Sequence, residues 1–298
     1  MFNQRRKRRT DELIELSRKR SQWRDILGRL LRNKLGMVGV VIVIVLVFMA
    51  IFPGLFTKYD YDVQDYSSLF LYPSSEHIMG TDNFGRDIWC RCLYGGQISL
   101  LVAVLAVIIS TTFGIIFGSI SGFFGGKVDL VITRINDILM SIPALLLAIA
   151  ISSALGSGPV NTAIAIAISG IPYSARLMRS TVMTIKDNDF VEAAKATGSS
   201  NLRTIFRHVL PNTVAPIIVN ATLEIGGNII SISGLSFVGL GVQPPIPEWG
   251  SILNAGREYI RDFWPLIIFP SIFIILTLFG FNLFGDALRD ALDPRLKD

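Results

Sequence analysis

Two histidines, two cysteines and one acid inside an apolar run limit the chemistry open to this chain. His77 and His208 fall on opposite faces of a membrane by the loop charges given below. No His-based metal site or Ser-His-Asp triad can be assembled from them. Cys90 and Cys92 are two positions apart, a spacing that seldom permits an unstrained disulfide; they read as packing residues or free thiols. The one near-match to a nucleotide-binding loop, Gly122-Phe-Phe-Gly-Gly-Lys127-Val128, lacks the first glycine at the required spacing. It also has Val where a hydroxyl would hold magnesium. The chain reads as a non-enzyme, with no cofactor and no metal of its own.

A polar stripe remains. Asn220, Glu224 and Asn228 recur every four residues, with Gly227 and Ser231 close to the same line. At 3.6 residues per turn these share one helix face. An ionisable group within a membrane span is costly against lipid and faces the bundle or a water-filled cavity. Either the stripe lines a solute path, where Glu224 could meet a cationic amino terminus or a metal ion, or it bonds neighbouring helices and holds the bundle. Asn220-Ala-Thr222 matches a glycosylation acceptor by chance, since it falls inside the same run.

The elements that must position this stripe are membrane helices. Of 298 residues, 51% are hydrophobic and 17% charged, with a mean hydropathy of +0.52; a soluble domain carries about a quarter charged residues. Disorder and a disulfide scaffold are both excluded. A hydrocarbon core of about 30 Å needs roughly 20 helical residues. Uncharged runs of that length occupy 35–57, 92–126 and 138–175, the last too long for one helix and broken by Gly156-Ser157-Gly158-Pro159. A fifth apolar run, 214–240, contains one acid, Glu224, and a sixth lies at 263–284, making six expected spans. Lys and Arg number 23 in segments 1–36, 121–134, 176–211 and 285–298, against 5 in 53–97 and 241–262. The positive-inside bias therefore places both termini in the cytoplasm. The expected organisation is a basic tail with an interfacial helix (1–36), a first span (37–56), an external loop (57–96), a five-helix core (97–285) containing a cytoplasmic loop (176–211), and a tail (286–298).

The net charge of +5 belongs to the inner loops. The run Gln4-Arg5-Arg6-Lys7-Arg8-Arg9 has no aromatic interleaving or binding module after it, so it is read as a topology and anionic-lipid signal rather than a nucleic-acid site. Trp23, Ile26, Leu27, Leu30, Leu31 and Leu35 make one helix face opposite Arg24, Arg29, Arg32 and Lys34, as expected of a helix lying in the interface. Gly114, Gly118, Gly122 and Gly126 form a small-residue packing stripe, and Pro143, Pro172, Pro216 and Pro270 mark kinks or span ends. The outer loops, with Asp60, Asp62, Asp65, Glu76, Asp82 and Asp87 in one and Pro244, Pro245 and Trp249 in the other, are docking surfaces or ordinary solvated loops.

The loop 176–211 is long for a connection between spans. Asp189 is placed to cap a helix, with Glu192 completing a capping-box-like pair. Ala193, Ala194 and Ala196 favour helix, and Gly198 stops it. Such a short helix needs a partner surface. It is either docked on another protein, with Phe190 and Val191 as anchors, or packed on its own chain.

Glu192-Ala193-Ala194, Gly198 and His208-Val-Leu210-Pro211 resemble the EAA loop of permease subunits of ABC-type importers. The family pattern is E-A-A, three residues, G, nine residues, then an apolar residue and x-L-P, with His208 here in place of the aliphatic residue. Gly80-Thr-Asp-Asn-Phe-Gly-Arg-Asp87, Arg91, Tyr94-Gly95, Ser99-Leu100, then Leu235 to Pro245 with Trp249-Gly250, and Gly285 to Arg295 resemble the dipeptide/oligopeptide/nickel permease C subunits. The resemblance covers about residues 25 to 296. It implies an all-α, six-helix type I importer permease, paired with a second, homologous and non-identical permease. It also implies two ATPase subunits that bind ATP and magnesium, and an external substrate-binding protein. The coupling helix would be Asp189 to Thr197, with Asp189, Phe190, Glu192, Ala193, Ala194, Gly198 and Pro211 as the motif residues. Di- and oligopeptides are the expected cargo, nickel or another small solute the alternative, in a bacterial or archaeal plasma membrane. From a different class, a stand-alone secondary transporter or channel is opposed by the scarcity of intramembrane charge, and a mere membrane anchor by the six spans and polar stripe.

Overall fold

The computed structural model describes residues 26–292; the basic run at 4–9, Trp23, Arg24 and the end of the tail motif lie outside them. The described residues are helical, with no strand longer than an isolated bridge between Thr81 and Asp87. A helical turn over 26–32 ends at Asn33, whose side-chain oxygen accepts from Gly36 N at 3.0 Å and caps α1, Lys34–Ile51. An ordered loop then leads to α2, Ile88–Phe124, capped by Asp87, which accepts from Cys90 N at 2.7 Å. At 1.5 Å per residue α2 is about 55 Å long. It is followed by α3 (Gly126–Met140), α4 (Ala144–Leu155), α5 (Pro159–Ile185), α6 (Asp189–Ala196) and α7 (Asn201–Thr204). A π-helical turn, Ile205–Val209, feeds α8, Leu210–Phe237; α9 (Trp249–Gly256) and α10 (Pro265–Leu292) complete the chain.

Among the described residues, Lys34–Ile51, Ile88–Phe124, Asn201–Phe237 and Pro265–Leu292 are each long and apolar enough to cross a membrane. The expected third span is bent. Its uncharged run starts inside α3, turns through 88° at 141–143, and continues as α4, which at about 18 Å cannot cross the hydrocarbon alone. Pro143 causes the break: its ring cannot continue the preceding helix. The loop 156–158 ends α4 as the glycines predict, with Gly156 and Gly158 at positive φ and Pro159 opening α5. Helix α5 is long enough to cross, about 40 Å, but Asn161, Thr162, Ser169, Ser174 and Arg176 leave it too polar to stand among the apolar four.

Close backbone approach binds α2 to α5. A Cβ at Gly118 would press on the Ala175 carbonyl and lie 2.6 Å from Met178 Cβ; one at Gly122 would lie 2.8 Å from the Arg179 carbonyl oxygen. Gly114 meets Ser174 in the same way, so three of the four stripe glycines are packing positions. Gly126 is not. It opens α3 at φ 54° with open space around it, because the helix has already ended at Gly125. The main core gathers Val102, Ala103, Ile166, Ile229, Ile232, Leu235, Leu266 and Phe273 around Trp249. Trp249 stacks on Phe273 at 5.7 Å and donates its indole N–H to the Cys92 carbonyl at 2.8 Å. A second, smaller core joins Met178, Val182, Val191 and Val209. The outward face of α1, with Val41, Ile44 and Val45 exposed, is surface suited to lipid.

Candidate functional site

Glu224 sits where three helices meet. Its Oε1 accepts from Asn220 Nδ2 at 2.9 Å, one turn back on α8, and from Ser174 Oγ of α5 at 3.1 Å; its Oε2 accepts from Ser110 Oγ of α2 at 3.4 Å. Beside it opens a cavity of about 390 Å³ lined by Ser110, Ser169, Gly170, Tyr173, Glu224 and Asn228, and closed by apolar residues of 139–144 and Ile166. The polar stripe is thus divided. Glu224 and Asn228 reach the cavity wall, whereas Asn220 acts through Glu224. Ser231 bonds back to the Gly227 carbonyl at 3.3 Å and contributes nothing to the wall. The same carboxylate bonds neighbouring helices and faces open space. Sequence reasoning missed Ser110, Ser174 and Tyr173. Small polar residues are common in spans, so their positions carried no signal without the register between α2, α5 and α8.

At one end of the bundle, the motif loop folds as a docked helix. Asn188, in extended conformation, stands at the N-cap position of α6, without a side-chain cap bond. The expected cap at Asp189 is therefore one residue late, and Asp189 and Glu192 both fall in the first turn, where their charge suits the helix dipole. The C-terminus closes as a Schellman motif: Gly198 N donates to the Lys195 carbonyl at 2.9 Å and Ser199 N to the Ala194 carbonyl at 3.0 Å. Gly198 at φ 85° has open space around it, so its conformation rather than crowding requires glycine. Val191 is fully buried and Ala194 nearly so. Three residues apart, they share the inward face, where Val191 joins Met178 and Val182 of α5 and Val209 of the π-helical turn, so Val191 is an inward anchor rather than a docking one. Phe190, Glu192, Ala193 and Ala196 remain exposed. Lys195 lies over the Phe123 ring of α2 at 5.0 Å, a further tie between α6 and the bundle. Pro211 is the second residue of α8. Its ring clashes with the carbonyl four residues back, at Arg207, inside the π-helical turn. Nearby, Arg179 of α5 grips Asp129 of α3 with two bonds, of 2.5 and 2.6 Å.

At the other end, 80–87 is a structural cap. Asp82 accepts from the amides of Phe84 (2.8 Å) and Arg86 (3.0 Å) and from Arg86 Nε (2.7 Å), with Arg91 Nε 3.6 Å away. His77 Nδ1 bonds Asp87 at 2.9 Å. Asp82, Arg86, Asp87 and Arg91 are all buried, as is Trp249, so none of these offers a docking surface. Asp60, Asp62, Asp65 and Glu76 stay exposed, and the hydroxyls of Ser67 and Ser68 hold the Asp65 carboxyl below its usual range. Cys90 and Cys92 are free and buried.

A helical bundle with several spans apolar enough to cross a membrane, close glycine contacts between helices, a largely apolar cavity beside a buried carboxylate and a docked helix at one end is the architecture of a multi-pass membrane protein. The binding-protein-dependent transport system inner membrane component family matches residues 114–298, and the N-terminal TM domain of oligopeptide transport permease C matches residues 21–73. The chain is 45% identical over 277 residues to the dipeptide transport system permease protein DppC of Alkalihalophilus pseudofirmus, covering 93% of this chain and 91% of that one. It is 42% identical over 286 residues to the glutathione transport system permease protein GsiD of Escherichia coli, covering 96% and 94%. Among solved structures, the inward-facing methionine ABC transporter MetNI shares the fold, with a TM-score of 0.57 at 16% identity over 68% of this chain and 96% of that chain. This chain belongs to the binding-protein-dependent transport system inner membrane component family, the permeases of ABC importers.

Proposed function

We propose that this chain is the permease subunit of an ATP-driven importer of di- and oligopeptides in a bacterial or archaeal plasma membrane. It spans the membrane six times with both termini in the cytoplasm and forms half of the pathway beside a second, homologous permease. An external binding protein delivers the peptide, and two ABC ATPase subunits, which bind ATP and magnesium, drive the cycle. The observation that carries this is α6. It is fixed to the bundle through Val191 and Ala194, yet presents Phe190, Glu192 and Ala193 outward, so force applied to its outer face passes to α5 and, through the π-helical turn, to α8. When ATP binding draws the ATPases together, α6 transmits the movement and the cavity beside Glu224 and Asn228 changes its access; hydrolysis resets it. The chain carries force and does none of the hydrolysis. The names of similar proteins support peptide cargo, and glutathione, itself a small peptide, is the second substrate reading that one of them favours. The test is uptake by Glu192→Arg and Gly198→Val variants of the complete importer. Both abolish uptake while the protein still inserts in the membrane; wild-type uptake by both refutes the coupling role.

A further inference from the structure

Among the described residues, Glu224 has no counter-charge. Its three bonding partners, Asn220, Ser174 and Ser110, are neutral donors, and no Lys, Arg or His lines the cavity. An ionised carboxylate in a low-dielectric bundle without a cation is costly unless what enters the cavity supplies one. The bonding is also lopsided. Oε1 takes the two shorter bonds, while Oε2 has one contact at 3.4 Å, so it retains accepting capacity toward a donor. Asn228, one turn further on α8, lines the same cavity and makes no side-chain hydrogen bond among the described residues, leaving its amide oxygen free to accept. A carboxylate oxygen and an amide oxygen one helical turn apart suit a primary ammonium, which presents three N–H donors. At about 390 Å³ the space stands at the small end of ligand cavities, fitting a group the size of a peptide's first residues.

We propose that Glu224 and Asn228 form the subsite for the free amino terminus of the transported peptide, with Ser110 and Ser174 holding the carboxylate toward it. This rests on the peptide-import reading above and deepens it. The experiment measures ATP-dependent uptake of labelled dialanine into proteoliposomes holding the complete importer, with wild-type chain or Glu224→Gln, at pH 6.5 and pH 9. Gln keeps the length and an oxygen for Asn220 and Ser174 but removes the charge. A peptide α-amino group titrates near pH 8, whereas the binding protein, the ATPases and Tyr173 are the same in both preparations and cancel in the ratio. At pH 6.5 the variant takes up dialanine about tenfold more slowly, the loss of one charge-assisted bond. At pH 9, with the amine neutral, the gap closes to about twofold or less. A gap of equal size at both pH values assigns Glu224 to bundle packing and overturns the subsite, as does no gap at all. Failure of the wild type to take up dialanine at either pH overturns the peptide reading itself, and the subsite with it.

Discussion

Gly118→Ala adds a single methyl group at the closest approach of α2 and α5, and the structure sets its cost. The new Cβ would press on the Ala175 carbonyl oxygen and lie 2.6 Å from Met178 Cβ and 2.9 Å from Arg179 N. These are backbone atoms or the first side-chain atom, so no rotamer change relieves the overlap. Ordinary contacts begin near 3.5 Å, so α5 must retreat by roughly 1 Å. That movement forfeits a quarter to a half of the dispersion attraction along the facing surfaces. It also draws Ser174 Oγ, now 3.1 Å from Glu224, beyond hydrogen-bond reach. Overpacking of this kind costs about 1–3 kcal/mol, against which replacing a helical glycine gains up to ~1 kcal/mol. The net loss of about 1 kcal/mol lowers the unfolding midpoint by about 2–4 °C for a chain of this size. Gly227→Ala is the control, since a Cβ there meets nothing within 4 Å, and its midpoint stays level or rises. The assay is thermal unfolding of the purified protein in mild detergent. Midpoints for the two variants within about 1 °C of each other would refute the claim that α2 and α5 are held at glycine distance.

Two further predictions concern the cap opposite α6. Asp82→Ala leaves Arg86 and Arg91, both buried, without their carboxylate; removal of one partner from a buried ion pair costs about 3–5 kcal/mol, so thermal unfolding shows a far larger loss than Asp60→Ala on the exposed loop. Trp249→Phe retains the ring on Phe273 but removes the indole bond to the Cys92 carbonyl, which keeps its helical partner, a loss of about 0.5–1.5 kcal/mol, whereas Trp249→Ala removes the whole side chain for about 3–5 kcal/mol; a Trp249→Phe midpoint equal to wild type would show that the indole N–H contributes nothing.

The sequence by itself determined that this is a membrane protein, where most of its helices run, and which short loop carries the motif helix. Those properties are local: apolar runs between charges, Gly and Pro breaks at 156–159, and a Gly-stopped helix at 198. The pairing of Gly114, Gly118 and Gly122 with another helix was also legible as a periodicity, though not which helix they meet.

Only the tertiary structure decided the rest, because it depends on register between segments far apart in the chain. An uncharged run from 138 looked like the start of a span, yet the chain bends by 88° at Pro143, and nothing in composition reports the direction of a turn. Val191 and Phe190 are adjacent apolar residues on one short helix, and only the packing of α6 on α5 and the π-helical turn turns one inward and leaves the other exposed. Asp82 and Arg86 looked like solvated loop charges until folding buried them against each other. The Asn220–Glu224–Asn228 spacing located a polar face, but its purpose follows from Ser110 and Ser174, brought to the carboxylate by the 114 and 50 positions of chain that separate them from it. A helix's own period shows which residues share a face; what that face meets is set by the neighbours that bury it.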